Sequence, residues 1–305
     1  MALPSNGFHD LLNQVPRLQV RDKVSELSGG LTNRNLKIQT PTGDYVARIS
    51  SNKSALLSID RRAEYENSKI AAQIGIGAPV YDFLPEFGLL VIGFLPGKTF
   101  NAIDVAGNLD RIAAAVKKLH SAPAFVSDFD MFVIQQNYLK IVTDQGFRLP
   151  DNYLTFSSHL SQMKQALSVL AEVKVPCNND LLAANFIDDG KQIWLIDYEY
   201  SGNNDACFEL GNIYSESNLS YEQLIELVDA YYGQHLPEKI ARAWLFALLA
   251  RYGWTLWAAI QNSVSDIDFD FWGWGMEKYE RALSDFSSKQ FKLALDAVAK
   301  RVNFQ

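Results

Sequence analysis

Pro176-Cys177-Asn178-Asn179-Asp180-Leu181-Leu182-Ala183-Ala184-Asn185 precedes Phe186-Ile187, and Asp197-Tyr198-Glu199-Tyr200 follows the apolar run 193–196. The two apolar runs flank Asp188-Asp189-Gly190, a turn signal, so a β-hairpin is expected there. Asp180 and Asn185 stand before the hairpin with D-x-x-x-x-N spacing, and Asp197 stands after it. Phosphoryl transfer needs this set: one carboxylate to orient the attacking hydroxyl and accept its proton, and an amide with a second carboxylate to hold magnesium on nucleotide phosphates. Hard Mg²⁺ takes oxygen ligands, and the developing charge needs fixed positive partners. Asp and Asn at such spacing also serve as helix caps and turns. The hairpin and Asp197 in register are what move the reading toward chemistry.

Upstream, the first ~95 residues read as strand-rich with one helix. Residues 23–27 form a strand candidate, broken by Ser28-Gly29-Gly30, and residues 35–39 resume with Leu36 and Ile38 alternating. Pro41-Thr42-Gly43-Asp44 is a turn signal. In the return strand 45–49, Tyr45, Ala47 and Ile49 share one face, and Val46 and Arg48 the other. Residues 61–75 suit a helix with a glycine stop, and residues 80–84 and 89–94 are two more short apolar runs. Leu95-Pro96-Gly97 reads as a linker. Beyond it, helices are expected at 109–120, 132–143, 153–173, 221–232, 238–261 and 271–286. The fold class is therefore α+β: a β-rich lobe over residues 1–95, a helical lobe over 96–305, and a cleft between them.

Composition limits the function. Of 305 residues, 28 are Lys or Arg and 35 are Asp or Glu, for a net charge of -7, the wrong sign for gripping a nucleic-acid backbone. Two cysteines, Cys177 and Cys207, make no disulfide framework and suggest a reducing, cytoplasmic setting. The N-terminus lacks a basic start with an apolar run, so no signal peptide is expected. The most apolar segment, 241–260, contains Arg242 and Arg251, costly at membrane depth. A buried core helix is expected there, with no membrane insertion. The histidines share no metal-ligand spacing, and Cys177 has no evident base partner.

The stretch CNNDLLAANF…WLIDYEYSGNNDACFELGN resembles the choline/ethanolamine kinase family, within the aminoglycoside-phosphotransferase-like kinases. The resemblance spans nearly the whole chain and implies a two-lobed protein-kinase-like fold using ATP and Mg²⁺. Asp180 would then be the catalytic base, and Asn185 and Asp197 the metal ligands. Ser28-Gly29-Gly30-Leu31-Thr32-Asn33 is similar to the family's nucleotide loop. It implies that Gly29, Gly30, Thr32 and Asn33 meet phosphate, with Arg48 as its basic partner and Glu64 paired to that arginine. Phe94-Leu95-Pro96-Gly97 falls at the expected hinge. Asn178 stands where the family carries a loop-organising histidine. It would replace some of that ring's hydrogen bonds but not its packing, implying slower or more selective catalysis. Glu209 stands where Asp is commoner.

The acceptor side is aromatic. Trp254 and Trp257 lie three apart, on one helix face, and Phe271, Trp272 and Trp274 follow. Rings at such spacing usually build core, yet stacked faces also attract a quaternary ammonium, which donates no hydrogen bonds and is cheap to desolvate. The resemblance implies a choline pocket from Trp254, Trp257, Phe271, Trp274, Tyr200 and Tyr221, with Glu216 supplying negative charge. The expected acceptor is choline or a related small cationic alcohol. Ethanolamine, thiamine or an aminoglycoside are the alternatives, as is a weakly active, cation-binding protein of the same fold.

Overall fold

A computed structural model describes residues 7–27, 29–50 and 56–299. Ser28, in the expected nucleotide loop, lies outside the described residues.

The β-rich part is a five-stranded antiparallel sheet of β1 (Lys23–Leu27), β2 (Asn33–Thr40), β3 (Gly43–Ser50), β4 (Val80–Leu84) and β5 (Leu89–Gly93), in the order β1-β2-β3-β5-β4. Alternation sets its faces. Leu36, Ile38, Tyr45, Ala47, Ile49, Leu89 and Val91 point to one side, where α1 (Gly7–Asn13) and the turn after it cover them with Leu11, Leu12, Val15 and Leu18. Arg48 points the opposite way, toward the rest of the protein, and is buried there. Helix α2 (Arg61–Gln73) follows β3. Its N-cap is Asp60, whose carboxylate accepts the backbone N–H groups of Arg62 and Ala63.

The helical part comprises α3 (Ala102–Ala106), α4 (Leu109–His120), α5 (Met131–Asp144), α6 (Ser157–Val169), α7 (Ala206–Glu216), α8 (Tyr221–Tyr232), α9 (Pro237–Val264), α10 (Phe271–Phe286) and α11 (Lys289–Ala299). Its axis is α9, against which α5, α7, α8, α10 and α11 pack. Helix α9 is long and apolar enough to cross a membrane, but its apolar stretch is wholly buried inside this protein. Its two buried guanidiniums are paired, Arg242 with Asp205 and Arg251 with Asp285, each at 2.6 Å. Gly211 lets α7 approach closely: a Cβ there would stand 2.2 Å from the Ala243 carbonyl oxygen.

Short strands complete the frame. β6 (Lys98–Thr99), β8 (Phe186–Asp188) and β9 (Ile193–Leu195) form one antiparallel sheet, and β7 (Val175–Cys177) pairs with β10 (Gly202–Asn204). The expected hairpin is therefore present, as β8 and β9. The helix expected over 153–173 is different. Residues 153–156 form a 3-10 turn after Asn152, which takes a left-handed φ of 61°, and α6 itself ends at Val169.

Candidate active site

β7 leads into the Asp180 loop and β9 leads out to Asp197, and buried polar groups lock the two segments together. Glu209, in the first turn of α7, is fully buried and accepts the backbone N–H groups of Asn178 (2.8 Å) and Asn179 (2.7 Å). Asn179 takes a left-handed φ of 67°, and its amide donates to the carbonyl of Tyr200 at 3.0 Å. Asn178 joins the halves. Its amide donates to the carbonyls of Ile196 (3.0 Å) and Asp197 (2.9 Å), and its oxygen accepts the Asp180 N–H (3.1 Å). Asn185 donates to the Asp180 carbonyl at 2.7 Å.

Asp180, Asn185 and Asp197 thus converge, and the Asp180 backbone is held at both ends. Its carboxyl accepts no hydrogen bond among the described residues. Burial, followed by the charges of Asp197, Glu216 and Glu199, raises that carboxyl well above its ordinary range, while Lys278 opposes the rise. A perturbed, unpaired carboxyl on an otherwise anchored loop is the signature of a functional group. Among the described residues, Asn185 Oδ1 and Asp197 Oδ2 also accept no hydrogen bond. These are two oxygens of the kind a hard cation takes.

Charge is dense on the nucleotide side. Arg48 reaches Asp197 at 2.5 Å and Glu64 at 3.3 Å. Burial alone would lower the Arg48 guanidinium, but Asp197, Glu64 and Glu199 raise it above its ordinary value. Arg61 joins Glu64 (2.7 Å) to Glu199 (3.1 Å). Thr32 and Asn33, expected to face phosphate, each donate to Glu199 at 2.8 Å, because a buried carboxylate needs donors. Burial, with Asp197 adding, pushes Glu199 up to about 7 against the pull of Arg61 and Arg48. Gly29 takes φ +99° with open space where a Cβ would project, so the loop leaves room for a ligand there. Beside Arg48 and Asp197 a crevice is lined by Ala78, Leu90, Ile92 and Ile196, an apolar slot with charge at one end.

On the acceptor side, Trp257 donates its indole N–H to the Tyr200 hydroxyl at 2.9 Å. Its ring meets Phe271 and Trp274 edge-on, with centroids 5.7 and 5.5 Å away, and Trp254 meets Tyr200 at 5.0 Å. Glu216, at the end of α7, accepts two hydrogen bonds from Lys278 of α10. Tyr221 stands apart from this group. It begins α8, partly exposed, and its hydroxyl accepts from Gln290; among the described residues no hydrogen bond or ring contact joins it to these rings.

Several site residues carried no assigned role in the sequence reading: Arg61, Glu199, Asn179 and Lys278. Arg61 had a faint signal, three residues before Glu64 on one helix face. Glu199 lies inside the quoted motif, but its loop partners are 166 and 167 residues away. Cys177 does have a basic neighbour, since His120 Nε2 is 3.4 Å from its Sγ, with Glu209 close by. Both side chains are buried, and burial pushes the thiol well above its ordinary value, so no reactive thiolate forms.

The family model for choline/ethanolamine kinase matches residues 24–235. Ethanolamine kinase 1 of Mus musculus is 25% identical over 322 aligned positions, covering 90% of this chain and 88% of that protein. A choline/ethanolamine kinase family protein from Mesorhizobium loti superposes with a TM-score of 0.84 at 26% identity, covering 97% of this chain and 99% of that one. Choline kinase LicA from Streptococcus pneumoniae superposes with a TM-score of 0.80 at 23% identity, covering 92% and 99%.

Proposed function

The chain belongs to the choline/ethanolamine kinase family, and we propose that it transfers the γ-phosphoryl group of ATP to the hydroxyl of a small amino alcohol, ethanolamine or choline. The observation that carries this is the Asp180 carboxyl: unpaired, raised, and fixed by its own backbone beside Asn185 and Asp197.

In this reading residues 1–95 hold the nucleotide and residues 96–305 bring the acceptor. The base enters the apolar slot at Leu90 and Ile92, and the phosphates lie under Gly29 and Gly30. Asn185 and Asp197 would hold magnesium through their unpartnered oxygens. The metal, when bound, neutralises charge on the phosphates. Arg48, kept charged by three carboxylates, steadies phosphate with a forked donor set. Asp180 orients the acceptor hydroxyl in line with the phosphoryl group and takes its proton, and its raised affinity for a proton suits that task. Thr32 and Asn33 donate to Glu199 here, so meeting phosphate would require them to release it.

The test is ADP release with ethanolamine, choline, thiamine and an aminoglycoside, with and without Mg²⁺. Magnesium-dependent turnover of an amino alcohol is expected. Asp180→Ala should lower kcat by about 10²–10⁴-fold and leave nucleotide affinity nearly intact. Unchanged turnover in that variant removes Asp180 from its role.

A further inference from the structure

Lys278 and Glu216 make a closed pair beside the acceptor rings. The lysine ammonium donates to both carboxylate oxygens of Glu216, at 2.7 and 2.6 Å. It also lies 4.1 Å from the centroid of the Trp274 ring, within cation–π range. The side chains of Lys278 and Glu216 are only 10% and 4% exposed, so water screens the pair weakly. Trp274 in turn meets Trp257, whose indole N–H donates to the Tyr200 hydroxyl, so the pair sits at the edge of the ring cluster.

A carboxylate plus an indole face is also what a small cationic alcohol needs for its ammonium. We propose that Lys278 is a tethered competitor for the acceptor's ammonium, and that it biases the protein toward primary over quaternary ammonium alcohols. The proposal rests on the amino-alcohol kinase reading. Its chemistry is one of exchange. An arriving cation must take Glu216 from Lys278, since two ammoniums crowded on one buried carboxylate repel. A primary ammonium has N–H groups that replace the charge-assisted bonds it breaks. A trimethylammonium has none; it gains ring contact and loses those bonds. Lys278 therefore handicaps the quaternary acceptor more.

The experiment compares the full chain with Lys278→Met, which keeps length and removes charge. KM and kcat are measured for ethanolamine and choline, together with the rise in melting temperature that each acceptor produces without nucleotide. In Lys278→Met, KM for choline should fall by about tenfold, and KM for ethanolamine should fall less. The choline-induced melting shift should grow, because the bound cation then replaces the ammonium that Glu216 has lost. Unchanged KM values and melting shifts overturn the proposal. So does a rise in KM for both acceptors, which makes Lys278 a support that positions Glu216. If Lys278→Met gives no cooperative melt, Lys278→Gln, which keeps a donor to Glu216 without charge, is read by the same criteria. Failure of the kinase reading is distinct: the wild-type protein would then turn over no amino alcohol at all.

Discussion

The nucleotide side and the acceptor side of this cleft are built from different materials. On the first, Arg48, Arg61, Glu64, Asp197 and Glu199 form one buried ionic mesh, joining sheet, helix and loop. On the second, Tyr200, Trp254, Trp257, Phe271 and Trp274 pack ring against ring, with the Lys278–Glu216 ion pair at their margin. A mesh of charges holds direction: each group has few acceptable partners, and losing one strands the others. A cluster of rings holds shape, and shape tolerates exchange. Chemistry common to many acceptors belongs on the first, and choice among acceptors on the second.

The contrast breaks hardest at Arg48. Arg48→Met takes the cation from Asp197 and leaves buried Glu64 and Glu199 to Arg61, and should cost about 3–5 kcal/mol of stability, read from the urea midpoint. A loss under about 1 kcal/mol would mean that the mesh relaxes as freely as a surface pair. On the ring side, Trp257→Phe keeps most of the packing but removes the indole N–H from Tyr200 and weakens any ring–cation contact. KM for the acceptor should rise about three- to tenfold, with little change in the urea midpoint. An unaltered KM assigns that ring to core.

The mildest probe lies outside both regions. Arg111 grips Asp188 through two hydrogen bonds, of 2.6 and 2.7 Å, and that pairing lowers the Asp188 carboxyl to about 2. A depressed acid stabilises the fold above its unfolded pKa, near 4, and loses that contribution as pH falls through about 2. Arg111→Ala should therefore cost up to about 1 kcal/mol at pH 7, given its exposure, and almost nothing at pH 2. A loss that is equal at both pH values would trace to lost packing of the arginine stem.

Legibility from sequence follows the same divide. The strands of the five-stranded sheet and helices α4, α8 and α10 read well because period and punctuation are local; Ser220 and Gln223 form a capping box at the start of α8, and Gly233 ends it. Helix α7 escaped a pattern reading because it is buried nearly all round and shows no polar stripe. Asp180, Asn185 and Asp197 were legible because one short stretch carries them. Glu199 as a clasp for Thr32 and Asn33 was not, since nothing local marks a partner so far away in sequence. Asn178 was read as a partial replacement for a histidine. Its three hydrogen bonds show which part of that role it keeps: the tie between the segments bearing Asp180 and Asp197.

Helix α7 carries Glu209 near its start and Glu216 at its end, two turns and about 10.5 Å apart along the axis. One clamps the loop bearing Asp180; in the proposed function the other would meet the acceptor's ammonium. Gly211, seated on α9, fixes where that rod lies. In that proposal the span between proton acceptor and cation site is gauged by a rigid length of helix, like the fixed jaws of a caliper. An alcohol with extra methylenes between nitrogen and oxygen would overshoot one jaw or the other, whatever its charge.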